Sequence, residues 1–500
     1  MTAPGMSLRE LMSGLVDGPV ADIRVTGLCL DSRRVQAGDV FCALPGTRTD
    51  GRRYIEAAIA AGAAAVIYDA AQHLSQGAVP CLPVSDLKHR LGLIAERFYT
   101  APSQQLFVIG VTGTNGKTSC SHFIAQALHS AAEPAALIGT LGNGFVDRLE
   151  AASHTTPDAI TLHALLRRLA DAGARSVAME VSSHGLEQGR VSGVGFDLAV
   201  FTNLSHEHLD YHGDMTSYGR AKARLFHMPE LRYAVINADD RFAQNLLTEL
   251  PESLETLVYS LADACHGDNA VCGEILSQGR DGLLLAVHTP WGAGRLHSGL
   301  LGRFNASNLL AVLSTLLLKG MGLETALKKL SQLRTVPGRM ERFGGEHDQP
   351  LVVVDYAHTP DALEQVLITL REHCAARLWC VFGCGGERDR AKRPLMGGIA
   401  ARHADHIILT DDNPRHEDGA AIIAEIASGI DSCIDSGIDA GHVLVLRDRA
   451  RAIRHAVSQA AANDVVLVAG KGHEDYQDVG DDRRPFSDAD QVRQALGLAA

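Results

Sequence analysis

Runs of consecutive apolar residues, separated by stretches with helical spacing, repeat along most of the chain. In its middle part such runs stand at Leu106–Val111, Val177–Val181, Leu198–Asn203 and Tyr233–Asn237. A parallel strand has both faces covered by helices, so it is apolar at successive positions instead of alternating. Strands of this kind that alternate with helices predict a mostly parallel sheet within an α/β fold.

The same α/β pattern appears on either side of this middle part. Near the N-terminus, the apolar runs Val40–Leu44 and Ala64–Tyr68 flank an alanine-rich helical stretch at Ile55–Ala63, which predicts a small α/β domain. The C-terminal part has five further runs, at Leu351–Tyr356, Leu378–Phe382, His406–Thr410, Val443–Leu446 and Val465–Ala469. Because helical stretches alternate with these runs, they predict a separate Rossmann-like, doubly wound domain.

The chain has 500 residues, which is more than one hydrophobic core normally accommodates, so we expect several domains. Turn-forming residues at Thr100–Ser103 and Val336–Arg339 separate the three regions. The predicted domains are therefore residues 1–101, 102–337 and 338–500.

Composition excludes partners better than it identifies one. The net charge of −13 argues against binding to nucleic acid or to a membrane surface, because phosphate-rich partners select a basic face. Met1–Gly5 lacks a basic stretch followed by an apolar core, and the longest apolar run, around Leu309–Leu318, has about half the length of a membrane span. Ten cysteines without a paired framework are typical of a reducing compartment. We therefore expect a cytoplasmic protein.

The segment Val108–Ser119 combines a strand, a glycine-rich loop and the start of a helix near Lys117. Glycines let backbone N–H groups approach phosphate oxygens, and the N-terminal end of a helix adds positive potential. In such a loop Lys117 contacts the β- and γ-phosphates and the Thr118 hydroxyl binds Mg²⁺. The ordinary P-loop spacing would place a glycine at Val111, so this is the shorter Gly-x-x-Gly-Lys-Thr form. A glycine turn that merely opens a helix is the alternative.

Several motifs, in a fixed order along the chain, resemble those of the Mur ligases and of their relative folylpolyglutamate synthetase. They are the loop Gly113–Thr118 and the segments Glu180–Leu186, Thr202–Gly213, Gly302–Asn305 and Asp355–Asp361. The resemblance implies a UDP-binding N-terminal domain, a central P-loop-like ATPase domain and a C-terminal domain that binds an amino acid. It also implies a ligase reaction: because a carboxylate and an amine do not condense at neutral pH, ATP converts the carboxylate to an acyl phosphate, which the amine attacks.

The resemblance also implies which residues surround the ATP phosphates. The implied catalytic residues are Lys117, Glu180, His208 and Lys222, of which the last three join Thr118 as metal ligands, Lys222 as a carbamate. The implied ATP-binding residues are Gly113, Thr114, Asn115, Gly116, Lys117, Thr118, Ser119, Asn305, Arg339 and Asp355, with His358 as a further candidate. Judged alone, His208 would be an ordinary loop histidine and Lys222 a lysine on a helix surface. Glu180 is harder to explain without a cation, because burying a carboxylate is costly.

The first region contains motifs, among them Leu30–Arg33 and Gly51–Tyr54, that resemble the UDP-binding domain of the ligases that add the third amino acid. The implied contacts to the UDP-linked substrate are Leu30, Ser32, Thr47, Thr155, Thr156, Ser182, Gln188 and Arg190.

The segment Asp411–Arg415 resembles the motif of the diaminopimelate-adding members of the family. Meso-diaminopimelate differs from lysine by a carboxylate at its far end, which an arginine can hold through two parallel hydrogen bonds. The implied contacts are Arg388, Asp412, Asn413, Pro414, Arg415, Gly470 and Glu474. The alternative is a proline-containing turn with a solvated arginine.

These implications converge on one expected function. It is the ATP- and Mg²⁺-dependent addition of meso-diaminopimelate to UDP-N-acetylmuramoyl-L-alanyl-D-glutamate in peptidoglycan precursor synthesis, by a monomeric enzyme. The alternatives are an L-lysine-adding homologue, with another residue in place of Arg415, and a non-catalytic nucleotide-binding scaffold of the same fold. Folylpolyglutamate synthetase would not require the UDP-binding motifs of the first region.

Overall fold

A computed structural model describes residues 5–46, 49–70, 78–152, 154–262, 267–346, 348–436 and 441–498. The chain forms two compact units, Met1–Val258 and Tyr259–Ala500. The unit boundary falls inside the predicted central domain, and the predicted domain limits stay predictions.

The N-terminal part of the first unit is a small α/β arrangement. Its elements are β1 (Met6–Ser7), α1 (Leu8–Leu11), β2 (Arg24–Val25), β3 (Gly27–Cys29), β4 (Asp39–Ala43), α2 (Ile55–Ala60), β5 (Ala65–Asp69), β6 (Cys81–Val84) and α3 (Leu87–Phe98). Strands β3-β4-β5-β6 form a parallel sheet in that order, and β1 pairs antiparallel with β2. Apolar residues of α1 and α3 pack with the inner positions of β4 and β5. The predicted small α/β domain is confirmed.

The remainder of the first unit is built around a larger sheet. Its elements are β7 (Phe107–Thr112), α4 (Lys117–Leu128), β8 (Ala135–Gly139), β9 (Gly142–Phe145), β10 (Arg148–Glu150), α5 (Ala159–Asp171), β11 (Ser176–Glu180), α6 (Ser183–Glu187), β12 (Leu198–Phe201), α7 (Leu209–His212), α8 (Met215–Ala223), β13 (Tyr233–Asn237), α9 (Arg241–Glu249) and β14 (Glu255–Ser260). The strands run in the order β10-β9-β8-β11-β7-β12-β13, and the five from β8 to β13 in this order are parallel. The predicted, mostly parallel sheet is therefore confirmed.

The register of this sheet determines where its loops emerge. Glu180 at the end of β11 lies opposite Val111 of β7, and Phe201 at the end of β12 lies opposite Thr112. Parallel strands in this register bring their carboxyl ends to one edge, which is where α/β proteins place ligand sites. The loops after β7, β11 and β12 consequently leave the sheet side by side.

The second unit begins with an antiparallel meander that the apolar runs did not predict. It consists of β15 (Ala270–Gly279), β16 (Gly282–Thr289) and β17 (Gly292–Ser298), followed by α10 (Arg303–Leu318) and α11 (Leu323–Ser331). Buried and less buried positions alternate along much of β16. A sheet covered on one face only has this pattern, which is weaker in the sequence than a continuous apolar run.

The C-terminal part has helices on both faces of a six-stranded sheet. Its elements are β18 (Glu341–Gly344), β19 (Leu351–Asp355), α12 (Pro360–Glu372), β20 (Leu378–Phe382), α13 (Lys392–His403), β21 (His406–Leu409), α14 (Gly419–Asp435), β22 (His442–Val445), α15 (Arg449–Gln459), β23 (Val465–Ala469), β24 (Tyr476–Val479), β25 (Asp482–Pro485) and α16 (Asp488–Leu496). The order is β18-β19-β23-β20-β21-β22, with only β18 antiparallel to its neighbour. Val353 packs on the side of α12, α13 and α14, and Val352 on the side of α15 and α16. The predicted doubly wound domain is confirmed.

The cysteines and the helices bear on the expected surroundings of the chain. Eight cysteines in the described part are free, whereas Cys272 is disulfide-bonded, so the expectation of unpaired cysteines is wrong at that position. No helix among the described residues is both long enough and apolar enough to cross a bilayer.

Candidate active site

The phosphate loop connects β7 to α4, whose first residue is Lys117, as the sequence predicted. Gly113 and Gly116 have φ angles of 148° and 85°, which side chains rarely allow. A methyl group at Gly113 would also lie 1.9 Å from the Thr202 hydroxyl oxygen. The Lys117 ammonium donates to the carbonyl oxygens of Gly113 and Thr114, each at 2.8 Å. The Lys117 side chain thus lies over the phosphate loop and is hydrogen-bonded to it.

Asn203, two residues after the end of β12, holds this loop through three hydrogen bonds. Its backbone oxygen accepts from the Thr114 N–H at 2.8 Å, its side-chain oxygen accepts from the Asn115 N–H at 2.9 Å, and its amide donates to the Asn115 carbonyl at 3.0 Å. The Thr114 hydroxyl lies 3.2 Å from that of Tyr218. Sequence reasoning gave Asn203 and Tyr218 no role, although both lie in or near motifs that it identified. Ser119, predicted to contact ATP, lies in the first turn of α4.

Glu180 is a carboxylate buried at the end of β11, with 1 % exposure. The Thr118 hydroxyl donates to its Oε2 at 2.8 Å, and the Thr140 N–H donates to its Oε1 at 2.7 Å. Within the described ranges Glu180 has no ion-pair partner, so a buried negative charge stands beside the phosphate loop. Its oxygens and the Thr118 hydroxyl are the hard donors that Mg²⁺ prefers, so this pair fits that ion. Thr140 was not predicted from the sequence.

Thr156 and Ser182 extend the network from Glu180 toward α6. The Thr156 hydroxyl donates to the Glu180 carbonyl oxygen at 2.9 Å and accepts from the Ser182 N–H at 3.0 Å. Ser182 caps α6 by accepting from the Gly185 N–H at 3.1 Å. The Thr155 hydroxyl lies 3.0 Å from that of Thr140, which also contacts Glu180. Three residues predicted to hold the UDP-linked substrate therefore adjoin the phosphate-loop site.

Arg190 and Gln188, which are also predicted to contact the UDP-linked substrate, belong to the same network. Its Nη1 donates to the Thr156 carbonyl at 2.8 Å, and its Nε and Nη2 donate to Gln188 Oε1 at 3.0 and 2.7 Å. Burial lowers the pKa of Arg190 from its usual range. The Gln188 amide donates to the Tyr211 hydroxyl at 3.2 Å. Tyr211 is a contact that the sequence did not reveal.

Lys222 and His208 both lie near the ring of Tyr218. The buried Lys222 ammonium donates to the Gly113 carbonyl at 2.7 Å and lies 4.4 Å from the Tyr218 ring centre. Burial, helped by the nearby Lys117 charge, holds the pKa of Lys222 well below its usual range. The His208 ring lies 6.0 Å from the Tyr218 ring, and burial likewise lowers its pKa.

The four predicted metal ligands are brought together only in part. Thr118 and Glu180 are in contact, but in the described segments neither His208 nor Lys222 hydrogen-bonds to Glu180. Nor does that part of the chain hold a group of three or more histidine, cysteine or acidic side chains arranged as metal ligands. The contact between Lys222 and Tyr218 could nevertheless have been predicted from the sequence, because Tyr218 lies four positions earlier on the same face of α8.

The predicted uridine-side residues lie in the N-terminal sheet region. Leu30 follows β3, and Ser32 opens a 3₁₀ helix, Ser32–Arg34, which Asp31 caps by accepting from the Arg33 N–H at 3.0 Å. Hydrogen bonds from Arg33 lower the pKa of Asp31 to about 2. Thr47 lies outside the described residues. Across the described residues no hydrogen bond joins Leu30 or Ser32 to the phosphate loop.

In the second unit, Asn305 lies buried in the first turn of α10. Its amide donates to the Leu301 carbonyl at 2.9 Å, and its side-chain oxygen accepts from Asn308 at 3.2 Å. Both side-chain polar atoms of Asn305 therefore have partners near the start of α10. Asparagine commonly makes such hydrogen bonds at the end of a helix.

Asp355 and Arg339, both predicted to contact the nucleotide, adjoin one another in this unit. Asp355 ends β19 and accepts from the N–H groups of Met340 and Ala357, each at 2.8 Å. Burial raises the pKa of Asp355 against the opposing effect of Arg339. The Arg339 guanidinium lies 4.6 Å from the Tyr356 ring centre, and its buried Nε has no hydrogen-bond partner in the part of the chain that the structure describes.

Arg415 and Arg388, predicted to hold a carboxylate, converge on Gly385. A methyl group at Gly385 would lie 3.0 Å from Arg415 Nη1 and 3.7 Å from Arg388 Cγ. The same Nη1 donates to the Gly386 carbonyl at 2.6 Å, and the residue has a left-handed φ of 51°. Its N–H donates to the Asp478 carbonyl at 3.1 Å. Backbone contacts therefore fix Arg415, whereas Arg388 is exposed.

Asp412, Asn413 and Glu474, predicted to bind diaminopimelate, form one cluster. The Asn413 amide donates to Glu474 Oε2 at 2.9 Å. Gly470 has a φ of 116°, and a methyl group there would lie 2.7 Å from Asp412 Oδ2. Pro414 is buried next to them. At the centre of the cluster is Lys471, fully buried, which was not singled out from the sequence.

Comparison with known proteins gives matches along nearly the whole chain. Residues 24–99 match the model of the Mur ligase family catalytic domain, residues 111–316 the Mur ligase middle domain, and residues 338–472 the Mur ligase glutamate ligase domain. The chain is 53% identical over 477 residues to the UDP-N-acetylmuramoyl-L-alanyl-D-glutamate--2,6-diaminopimelate ligase of Pseudomonas aeruginosa, covering 95% of this chain and 96% of the relative. It is 49% identical over 496 residues to the enzyme of that name from Coxiella burnetii, covering 98% and 100%. A solved structure of a ligase of that name has a TM-score of 0.75 at 40% identity and covers 99% of both chains.

Proposed function

The chain belongs to the Mur ligase family, and from that premise we propose that it joins meso-diaminopimelate to UDP-N-acetylmuramoyl-L-alanyl-D-glutamate. Full-length relatives with about half of their residues identical are named for this reaction. The reaction consumes ATP, forms an amide bond and yields a peptidoglycan precursor. We take the working enzyme to be a cytoplasmic monomer.

One observation carries the proposal furthest: the phosphate loop and the residues assigned to the UDP-linked substrate share a single hydrogen-bond network. The network runs from Thr118 through Glu180 and Thr156 to Arg190. A ligase that activates a carboxylate must hold that carboxylate close to the γ-phosphate of ATP. Contact between the two sets of residues supports this chemistry and would be unnecessary in a nucleotide switch.

In this proposal the phosphate loop binds ATP through its backbone N–H groups and the start of α4. Lys117 moves from its loop carbonyls to the phosphates and neutralises charge as the γ-phosphoryl group passes to the substrate carboxylate. Arg190 and Ser182 orient that carboxylate. Asn305, Arg339 and Asp355 are proposed as further contacts to the nucleotide.

Thr118 and Glu180 are the residues proposed to hold Mg²⁺, together with His208 and Lys222. Bound there, the ion would screen the charge that the phosphates and the substrate carboxylate bring together. Lys222 is proposed to carry a carbamate, formed when its neutral amine adds to CO₂ and loses a proton. Its burial and its lowered pKa support this, because only the uncharged amine is nucleophilic.

The second unit is proposed to bind the incoming amino acid. Arg415 and Arg388 hold the carboxylate at its distal end, and Asp412, Asn413 and Glu474 receive the distal ammonium group. Pro414 and Gly470 shape the backbone around them. Lysine lacks the distal carboxylate, so it would leave the Arg415 fork unpaired.

A coupled ADP-release assay tests the proposal. The purified enzyme receives ATP, Mg²⁺ and the UDP-dipeptide, with either meso-diaminopimelate or L-lysine, and the amide product is identified by mass spectrometry. We expect ADP release that needs both the UDP-dipeptide and diaminopimelate. Equal use of lysine would instead support the lysine-adding alternative, and ADP release without amide product would support a scaffold or switch.

A further inference from the structure

Lys471 occupies the centre of the cluster proposed to receive the amino-acid ammonium group. Its side chain is fully buried, two residues after the end of β23. Its Nζ donates to Asn413 Oδ1 at 2.9 Å and to Glu474 Oε2 at 3.0 Å, and it lies 3.7 Å from Asp412 Oδ1. A single buried cation thus touches all three polar residues of the cluster.

We infer that Lys471 is a positioning residue that fixes the net charge of the ammonium-binding half of the pocket and thereby favours diaminopimelate over simpler diamino acids. The inference rests on the proposed function. It assigns Lys471 no contact with the reacting atoms. Its effect on the substrate is exerted through Asn413, Glu474 and Asp412.

The charges of the cluster show why a cation is needed there. Asp412 and Glu474 bring two negative charges into a region where their side chains are 9% and 19% exposed. Lys471 compensates one of them, so one net negative charge remains for a ligand. Buried charges are costly unless they are paired, and a surplus of two would draw in whatever cation is available.

The geometry indicates which atoms stay available to a ligand. Glu474 Oε2 accepts from both Lys471 and Asn413, whereas the described residues provide no hydrogen-bond donor to Glu474 Oε1. Asn413 Oδ1 is likewise occupied, by Lys471 and by the Asp478 N–H at 3.0 Å. Lys471 therefore locks one oxygen of Glu474 and the rotamer of Asn413, and it leaves the other Glu474 oxygen to receive an ammonium group.

This charge balance suits the distal end of diaminopimelate. That end carries an ammonium and a carboxylate and is neutral as a whole, so it matches one net negative charge beside the Arg415 fork. The distal end of lysine carries the ammonium alone. Without Lys471 the ammonium half would gain a further negative charge, which favours the more cationic substrate.

The test compares Lys471→Met and Lys471→Arg in the full-length enzyme, with kcat and KM measured for diaminopimelate, lysine and ATP. For Lys471→Met we expect the KM for diaminopimelate to rise at least about tenfold and the diaminopimelate-to-lysine ratio of kcat/KM to fall at least about tenfold, with the KM for ATP unchanged. For Lys471→Arg, which keeps the charge but cannot place a planar fork on the same oxygens, we expect the higher KM with the ratio retained.

A control in the same unit is Arg371→Met, which removes a cation whose 2.7 Å ion pair with Asp405 lies at the amino ends of β20 and β21, away from the cluster. It should leave the KM for diaminopimelate and the substrate ratio unchanged. A purely structural Lys471 would lower the folded fraction, and with it the rates on both substrates equally, without moving KM or the ratio; that result overturns the inference. If Lys471→Met does not fold, Lys471→Arg is a sufficient test: an unchanged KM for diaminopimelate in that variant overturns the inference. Failure of the wild-type enzyme to form the amide product would instead refute the proposed function.

Discussion

Arg415 offers the sharpest test of how the amino acid is selected. One of its nitrogens is already engaged, since Nη1 donates to the Gly386 carbonyl at 2.6 Å. Its other side-chain N–H groups have no hydrogen-bond acceptor among the described residues, so the Nε–Nη2 edge can receive a carboxylate bidentately. Because backbone contacts on both sides of the residue fix its position, the fork requires little ordering when the substrate arrives.

The expected cost of removing the fork follows from the bonds it would make. Two hydrogen bonds to a charged group contribute about 1.5–3 kcal/mol each, but the half-exposed site allows water to replace part of the loss. Arg415→Ala should therefore cost about 2–4 kcal/mol, which is roughly 30- to 1,000-fold in kcat/KM for diaminopimelate. Arg415→Lys keeps the charge and loses the fork, so we expect a loss of roughly 5- to 30-fold.

The assay is steady-state ADP release with diaminopimelate and with lysine, at saturating ATP and UDP-dipeptide. Lysine presents no distal carboxylate, so its kcat/KM should change by less than about threefold in Arg415→Ala. Arg388→Ala serves as the comparison, because its side chain is exposed and should contribute less to the carboxylate contact. Equal losses for diaminopimelate and lysine in Arg415→Ala would refute the reasoning, since they would mean that Arg415 maintains the loop without recognising a carboxylate.

Three further predictions concern the metal site and the stability of the fold. Thr118→Val should lower kcat roughly 100-fold, because it removes the hydroxyl beside the buried glutamate, whereas Thr140→Val, which removes a 3.2 Å bond to the same carboxylate, should have the smaller effect in the same assay. Asp488→Asn should cost about 3–5 kcal/mol in denaturant unfolding, because Arg449 and Asp488 are both fully buried and pair at 2.7 Å; additive losses in a double-mutant cycle with Arg449→Met would contradict this. Burial lowers the pKa of His163 to about 4, so its contribution to stability is complete above about pH 6.5 and is lost as the pH falls toward 4, where the unfolded chain takes up a proton that the folded chain does not. Denaturation at about pH 7 and about pH 5 should show a decline that His163→Gln reduces by up to about 2 kcal/mol, and an unchanged decline would contradict the assignment.

Much of the fold could be predicted because its strands are buried on both faces. Continuous apolar runs predicted Tyr233–Asn237, Leu378–Phe382 and Val465–Ala469 with the bounds that the structure has. The antiparallel meander from Ala270 to Ser298 was missed, because one-sided burial leaves only an alternating pattern. A two-residue period is easily hidden by short side chains, of which this meander has many.

The predicted site residues were identified through motifs, and the structure determines which of them touch. Thr118, Glu180 and Thr156 are far apart in the sequence and form one network, because parallel strands end at the same edge of the sheet. Thr140 lies outside those motifs, whereas Tyr211 lies inside the motif Thr202–Gly213 but was given no role there. A threonine after a strand and a tyrosine in a short polar helix have no spacing that distinguishes them from surface residues.

Lys471 shows most clearly what a sequence pattern leaves open. The segment Gly470–Glu474 contains one cation and one acid, which predicts an exposed turn as readily as a buried cluster. Only the position of Asp412 and Asn413, brought alongside by the parallel strands β20, β21 and β23, turns that lysine into the counter-ion of two carboxylates. The net charge of this pocket therefore depends on the order of the strands, because that order brings Asp412 and Lys471 together. If selection between diaminopimelate and lysine depends on that charge, the residues that determine it include one that need not touch either substrate.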